Sequence, residues 1–269
     1  MTTNKYGLPL NLLELYKFPS INHVSGFCDV TNQLDPKDLV RAYHRARELA
    51  PHRHERQPPK QYFVGHSGVT SSGGSSNRRE EHLAVALWNA TQKGVLLKMP
   101  GSSTLNLLDY QVPLKARRGD KGIGKVDLIG VIDGAQICVI ELKIHPVNKA
   151  CGDTPLRAFL EALAYCAIVE ANADDIAKEV LGNTGLAISK SCPDLVVMAP
   201  EEYWSGFVNH EKTGDWWPAL LNLADQLEGS LGLKSHFIAL RNSGFNMGLN
   251  GEKPQLIEDC SLNCVSDLF

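Results

Sequence analysis

The chain has 269 residues, 43% of them apolar and 21% charged, and 27 basic against 30 acidic side chains leave a net charge of −3. This is globular composition, and it excludes a disordered, collagen-like or disulfide-stapled protein. The near-neutral balance gives no global case for nucleic-acid binding, and no run approaches the ~18–20 apolar residues of a membrane span. The first twenty residues lack a basic start, an apolar block and a small-residue cleavage site. Seven cysteines without CxxC spacing read as free thiols. A cytoplasmic protein is the expectation.

Residues 1–77 read as an accessory N-terminal region. Asp35-Pro36 opens a helix to about Ala50, with Leu39, Ala42, Tyr43, Ala46 and Leu49 at helical spacing. Pro51, Pro58 and Pro59 break the chain beyond it, and His52–Arg56 (HRHER) forms a local basic stretch. Gly65 to Asn77 is rich in glycine and serine and reads as a linker.

A core is expected over residues 78–241, followed by a C-terminal extension over 242–269. Asn77 can cap a helix running RREEHLAVALWNATQ, with Glu80 and Glu81 favourably placed in its first turn. A strand is expected near Leu107–Lys115. The next turn carries Lys115, Arg117, Arg118, Lys121 and Lys125 against Asp120 alone. Such a patch can bind phosphates even on an acidic protein.

Two β-branched runs then flank Asp133-Gly134, a hairpin signal: Val126–Asp133 and Gln136–Ile144. Thr154-Pro155 opens a long helix, LRAFLEALAYCAIVEAN. A strand at Asp194–Ala199, a helix at Trp217–Leu231 and a strand at Ser235–Leu240 complete the pattern. Helix, three strands, helix, strand make an α/β fold, a mixed central sheet flanked by helices. Both hairpin strands are apolar on both faces, so helices must cover both sides.

Strand parity puts Asp127, Ile129 and Val131 on one face of the first hairpin strand, and Ile137, Val139, Glu141 and Lys143 on one face of the second. Whether these faces coincide depends on the turn. A two-residue loop sets Asp127 opposite Ile140, and a three-residue loop or one bulge sets it opposite Glu141. Burial favours the second, because an unpaired interior carboxylate is costly unless it binds metal or protonates. Two carboxylates at a sheet end suit Mg²⁺, and a lysine two residues on can stabilise charge developing on phosphorus.

These residues resemble the PD-(D/E)XK nuclease superfamily. Asp127, thirteen intervening residues and Glu141-Leu142-Lys143 within a strand hairpin look like its signature. The Glu-bearing helix before and the long helix after fit its α-β-β-β-α-β, restriction-endonuclease-like core. The resemblance covers roughly residues 78–200, with Val126 in place of the motif's nominal proline. It implies that Asp127, Glu141 and the Leu142 carbonyl hold Mg²⁺, with Mn²⁺ as a substitute, and that Lys143 assists catalysis. It also implies a helix glutamate: Glu80, which shares a face with Leu83 and Leu87, with Glu81 as the alternative.

Arg157, Glu161 and Tyr165 recur every four residues on one face of the long helix. In some branches that face carries Gln and Tyr near substrate, and here Glu161 stands where Gln would be. The expected function is a metal-dependent deoxyribonuclease. Lys115, Arg117, Arg118, Lys121, Lys125, Arg157 and Tyr165 are its expected nucleic-acid contacts, and DNA rather than RNA is its partner. A nucleic-acid-binding protein of the same fold with weak or no catalysis is the alternative, and a homodimer is one option for an open oligomeric state. Other signatures are weaker: there is no GxSxG, Gly122–Lys125 lacks phosphate-loop spacing, and His44, His52 and His54 read as solvated.

Overall fold

The hairpin organises the fold. In the computed structural model, which describes residues 3–70, 79–146, 152–247 and 252–269, β3 (Lys125–Ile132) and β4 (Gln136–Leu142) pair antiparallel with Ile132 opposite Gln136. The loop therefore holds three residues. Asp133 and Gly134 both take positive φ, 49° and 73°, and the Ala135 N–H donates to the Ile132 carbonyl at 3.2 Å. Ala135 is left as the extra residue, with its carbonyl accepting from the Ser189 N–H at 2.8 Å. That one residue sets the register on which the site depends.

Five more strands extend the sheet. β1 (Leu97–Lys98) and β2 (Thr104–Pro113) lie beyond β3. Beyond β4 come β5 (Asp194–Pro200) and β6 (Ser235–Arg241), both parallel to it, and then β9 (Ser261–Cys264), antiparallel to β6. A separate pair, β7 (Phe245–Asn246) and β8 (Gln255–Leu256), lies against α4 (Arg79–Gln92). The fold is thus mixed α/β with a large mixed sheet flanked by helices. The order helix, three strands, helix, strand runs through α4, β2, β3, β4, α5 (Pro155–Ala171) and β5.

Each sheet face has its own core. On one, Leu83 and Leu87 of α4 pack with Leu128, Ile140, Leu142, Val196 and Met198. On the other, Phe159 and Leu163 of α5 pack with Ile129, Val139, Leu195 and Val197. Each such side chain contributes roughly 1.5–3 kcal/mol when fully buried. α5 is apolar nearly all round because it is covered on its outer side as well. α3 (Pro36–Glu48) and α1 (Leu12–Leu15) lie there, while α2 (Phe27–Gln33) and α3 also meet α8 (Trp216–Leu231).

The stretch expected to be accessory therefore shares one apolar cluster with the core, through Leu12, Phe27, Leu39 and Tyr43. The C-terminal stretch does so too: β9 joins the sheet, and Phe269 stacks on Trp217 with ring centroids 5.4 Å apart. Trp204, Trp216 and Trp217 are buried core side chains. Asn77, the expected cap, and most of the Gly/Ser-rich stretch lie outside the described residues. Four α-helices of the described residues escaped the pattern: α1, α2, α6 (Ala173–Thr184) and α7 (Glu201–Val208). α6 follows α5 after Asn172 alone, whose side chain donates to the Ile168 and Pro51 carbonyls, and α7 follows directly on β5.

Six cysteines are free among the described residues, and Cys151 lies outside them. Among the described residues no helix is long and apolar enough to cross a membrane.

Candidate active site

With Leu128 opposite Ile140, continuing the register brings Asp127 level with Glu141. The side chains bear this out. One Asp127 carboxylate oxygen accepts from the Leu142 N–H at 3.0 Å and the other from the Gln111 side-chain amide at 2.9 Å. The Lys143 ammonium donates to a Glu141 oxygen at 2.5 Å and lies 3.9 Å from a Glu161 oxygen on α5. The Lys143 N–H donates to the Met198 carbonyl at 3.0 Å, which holds this end of the chain against β5. Glu141 and Lys143 are buried, and Asp127 keeps partial exposure.

Charge at this place is unbalanced. Burial alone would push the Lys143 ammonium down, but Glu141, Glu80, Glu161 and Asp127 together hold it well above its ordinary value. Four carboxylates thus act on one lysine. Burial, aided by Asp127 and Glu161, pushes Glu141 well above the usual carboxylate range in spite of Lys143. Burial also pushes Asp127 up to about 7; Lys143 and the Leu142 N–H oppose this, while Glu80 and Glu161 add to it. Glu80 is raised in the same direction, again chiefly by burial.

Glu80 at the start of α4 is within electrostatic reach of Lys143. Glu81 is buried, and its charge acts on the Tyr110 phenol. One helical position, a rotation of about 100°, separates the two glutamates.

On α5 the Tyr165 hydroxyl donates to Glu161 at 3.0 Å, and Arg157 pairs with Asp153 at 2.9 Å. Tyr165 is only 2% exposed, so the expectation that it touches nucleic acid is corrected. It orients Glu161 instead. A Cβ at Gly124 would collide with the Tyr165 hydroxyl. Gly124→Ala is therefore expected to break the Tyr165–Glu161 bond and to cost about 1–3 kcal/mol, the range for overpacking. Urea denaturation checks this; an unchanged midpoint would show that the loop yields freely.

Sequence reasoning missed three neighbours. Gln111, at φ 49°, orients Asp127. Tyr16 packs edge-on against Tyr165, with centroids 6.4 Å apart, and donates to the Gly122 carbonyl at 2.9 Å. Lys17 donates to the same carbonyl at 2.6 Å, and its ammonium lies within the fields of Glu161, Lys115 and Arg157. Tyr16 and Lys17 reach the site from just beyond α1, more than a hundred residues away in the chain. No local signal marks so distant a contact.

The basic turn between β2 and β3 is built by Asp120, whose carboxylate accepts from the Ala116 and Arg117 N–H groups, both at 2.8 Å. Arg117 returns a 3.2 Å contact to Asp120. Lys115, Arg117, Arg118, Lys121 and Lys125 are exposed. The HRHER stretch is different: Arg53 is buried and donates to the Gln61 and Lys115 carbonyls, so it shapes the turn rather than offering itself to phosphate. His54 is not a solvated side chain either, since it meets Glu179 at 2.5 Å and Asp175 at 3.3 Å.

Among the described residues, no three His, Cys, Asp or Glu side chains close into a ready-made cation cage. Glu141 is turned onto Lys143, and Asp127 onto Gln111 and Leu142. The donor set nonetheless fits a hard divalent cation. Asp127, Glu141 and Glu80 carry carboxylate oxygens of the kind such a cation takes, and the surplus negative charge around Lys143 is met by protons or by a metal. Compared with protein-family models, curated proteins and solved structures, the chain finds no match.

Proposed function

We propose that this protein is a Mg²⁺-dependent nuclease that hydrolyses phosphodiester bonds in DNA, on a restriction-endonuclease-like core. The observation that carries this reading is the gathering of Glu80, Asp127, Glu141 and Glu161 around Lys143. The exposed basic turn ends two residues before Asp127 along the chain, at Lys125. Asp127, Glu141 and the Leu142 carbonyl, with Glu80, would hold Mg²⁺ or Mn²⁺. When bound, such an ion polarises the phosphodiester and lowers the pKa of water.

The chain's own residues do the rest. The Lys143 ammonium is kept protonated by its carboxylates, so it offers a fixed positive charge where negative charge develops on phosphorus. Glu161, held by Tyr165, limits the directions that ammonium can take. Gln111 fixes the Asp127 carboxylate. Arg157 and Lys17 stand at the rim, where cations can hold the backbone of the bound strand without reading its sequence. A protein that merely bound nucleic acid would need the basic turn but not four carboxylates gathered on one buried lysine, an arrangement that is costly to desolvate.

The test is incubation of the purified protein with plasmid, single-stranded DNA and RNA, each with Mg²⁺, Mn²⁺ or EDTA. Metal-dependent cutting of DNA that EDTA stops is the expected result. Binding without cutting would favour the non-catalytic alternative, and neither would defeat both. The turn adds a salt signature. Lys121→Ala and Arg118→Ala are each expected to weaken DNA binding modestly and to reduce the salt slope by about 1, because each removes about one phosphate contact. Fluorescence anisotropy between 50 and 200 mM salt, the range of roughly 10³–10⁵ losses for full phosphate-contact sets, measures both effects.

A further inference from the structure

We propose that Glu161 takes over the hydrogen bond of the Lys143 ammonium when Glu141 serves a divalent cation, and so acts on cation binding as a positioning residue. The inference rests on the reading of Asp127 and Glu141 as cation ligands. Glu141 is already engaged: one of its oxygens accepts from the Lys143 ammonium at 2.5 Å, and both residues are buried. A cation on either Glu141 oxygen lies close enough to repel that ammonium, and repulsion between like charges is strong where water is scarce. A buried ammonium without a carboxylate is costly in turn. Lys143 therefore needs a second acceptor within its own reach.

Glu161 is that acceptor. Among the described residues, Glu141 and Glu161 are the two carboxylates at ion-pairing distance from the ammonium. Glu80 and Asp127 act on it from farther away, and both are assigned to the cation. The Glu161 Oε2 lies 3.9 Å from Lys143 Nζ. Charge-assisted bonds of this kind are about 2.7–2.9 Å long, so a shift of about 1 Å at the tip of the lysine completes one. No backbone movement is needed for it.

The other Glu161 oxygen is fixed in advance, since Oε1 accepts from the Tyr165 hydroxyl at 3.0 Å. Tyr165 is buried, Tyr16 packs edge-on against its ring, and Gly124 closes on its hydroxyl so tightly that a Cβ there would collide with it. One carboxylate thus divides its oxygens between a rigid donor and a mobile one. Glu161 and Tyr165 also share α5, whose apolar side chains are packed into the larger core cluster. The carboxylate therefore stays in place while the ammonium, on its flexible four-carbon stem, makes the move.

Crystals of the whole protein, one set in EDTA and one in Mn²⁺ with its anomalous signal recorded, test this without DNA. With Mn²⁺ the Lys143 ammonium is expected within about 3 Å of Glu161 and out of hydrogen-bond range of Glu141. Manganese on Asp127 and Glu141 with the ammonium still bonded to Glu141 overturns this proposal and leaves the cation site standing. So does manganese ligated directly by Glu161. No manganese at Asp127 and Glu141 defeats the cation site and the proposal together. Mn²⁺ affinity, read at pH 8 from the electron paramagnetic resonance of the free ion, gives a second measure. Glu161→Gln is expected to weaken binding about ten-fold, because a neutral amide oxygen accepts an ammonium less strongly than a carboxylate. In a Lys143→Met background the same substitution should cost about three-fold or less, since the residue it acts through is gone. Equal losses in the two backgrounds would mean that Glu161 acts on the ion without Lys143, against the proposal. The crystals of the parent protein keep the test decisive if the Lys143 variant does not fold.

Discussion

Lys143→Met is expected to abolish metal-dependent cleavage and to destabilise the protein by about 3–5 kcal/mol at pH 7.5, the range for removing one partner of a buried ion pair. Methionine keeps the length and apolar stem of lysine but leaves Glu80, Asp127, Glu141 and Glu161 without the ammonium that all four act on. Protonation limits the damage, so the loss should shrink as pH falls towards 5. Glu141→Gln separates chemistry from stability. The amide oxygen can still accept from Lys143, while the negative charge needed for a cation ligand is gone. Its stability should stay close to that of the parent, and its cleavage should fall by about 10²–10⁴, the range for loss of one catalytic group. Urea denaturation and plasmid cleavage on the same preparations measure both. Activity surviving in either variant would place the chemistry elsewhere or in a contaminant.

Stability in the absence of metal is expected to fall as pH rises from about 4 to 7, the reverse of ordinary salt-bridged carboxylates. Burial lifts Asp127 to about 7 and Glu141 well above its usual range. In the unfolded chain such groups titrate near ~4. Across that window the folded state retains protons that the unfolded chain has released, so the unfolded state binds fewer and the free energy of unfolding declines with pH. For Asp127 alone the loss is at most about 4 kcal/mol, at roughly 1.4 kcal/mol per pH unit.

Mg²⁺ takes the place of those protons. It should therefore raise the melting temperature at pH 8 and do little at pH 5, where it must displace them. Asp127→Asn should flatten the metal-free slope and weaken the Mg²⁺ effect together. A differential scanning fluorimetry matrix of pH against metal reads this directly. A metal-free melting temperature that climbs between pH 5 and 8, or an equal Mg²⁺ effect at both, would contradict the electrostatics described for the site.

Much of the fold is legible in the amino-acid order. The apolar character of Val126–Ile132 and Ile137–Leu142, with Asp133-Gly134 between them, marks a hairpin because side-chain alternation and turn chemistry are local properties. The α5 boundaries are equally local: Thr154 accepts the cap hydrogen bond from the Arg157 N–H, and Pro155 occupies the first turn. Helical phase prefers Glu80 to Glu81, and the reach of Glu80 towards Lys143 agrees with that preference. Tyr165 misleads for the same local reason. Spacing puts it on the Arg157–Glu161 face but says nothing of Tyr16 and Gly124, which enclose it. Arg53 likewise reads as a free cation in the sequence, where nothing reveals the Gln61 and Lys115 carbonyls around it.

By itself the amino-acid order determined α3, α4, the hairpin strands, α5, β5, α8 and β6 in their order, and which carboxylates and lysine stand near strand ends, since periods of 2 and 3.6 and turn residues act over a few positions. The tertiary structure decided the rest. Ala135, engaged by Ser189, set the register that aligns Asp127 with Glu141. Packing of the N-terminal helices against α5 brought Tyr16 and Lys17 to the site and made the N-terminal region part of one core. Such contacts join segments more than a hundred residues apart. They form because burying both partners' apolar surface offsets the entropy of closing a long loop, an energy that no local pattern carries.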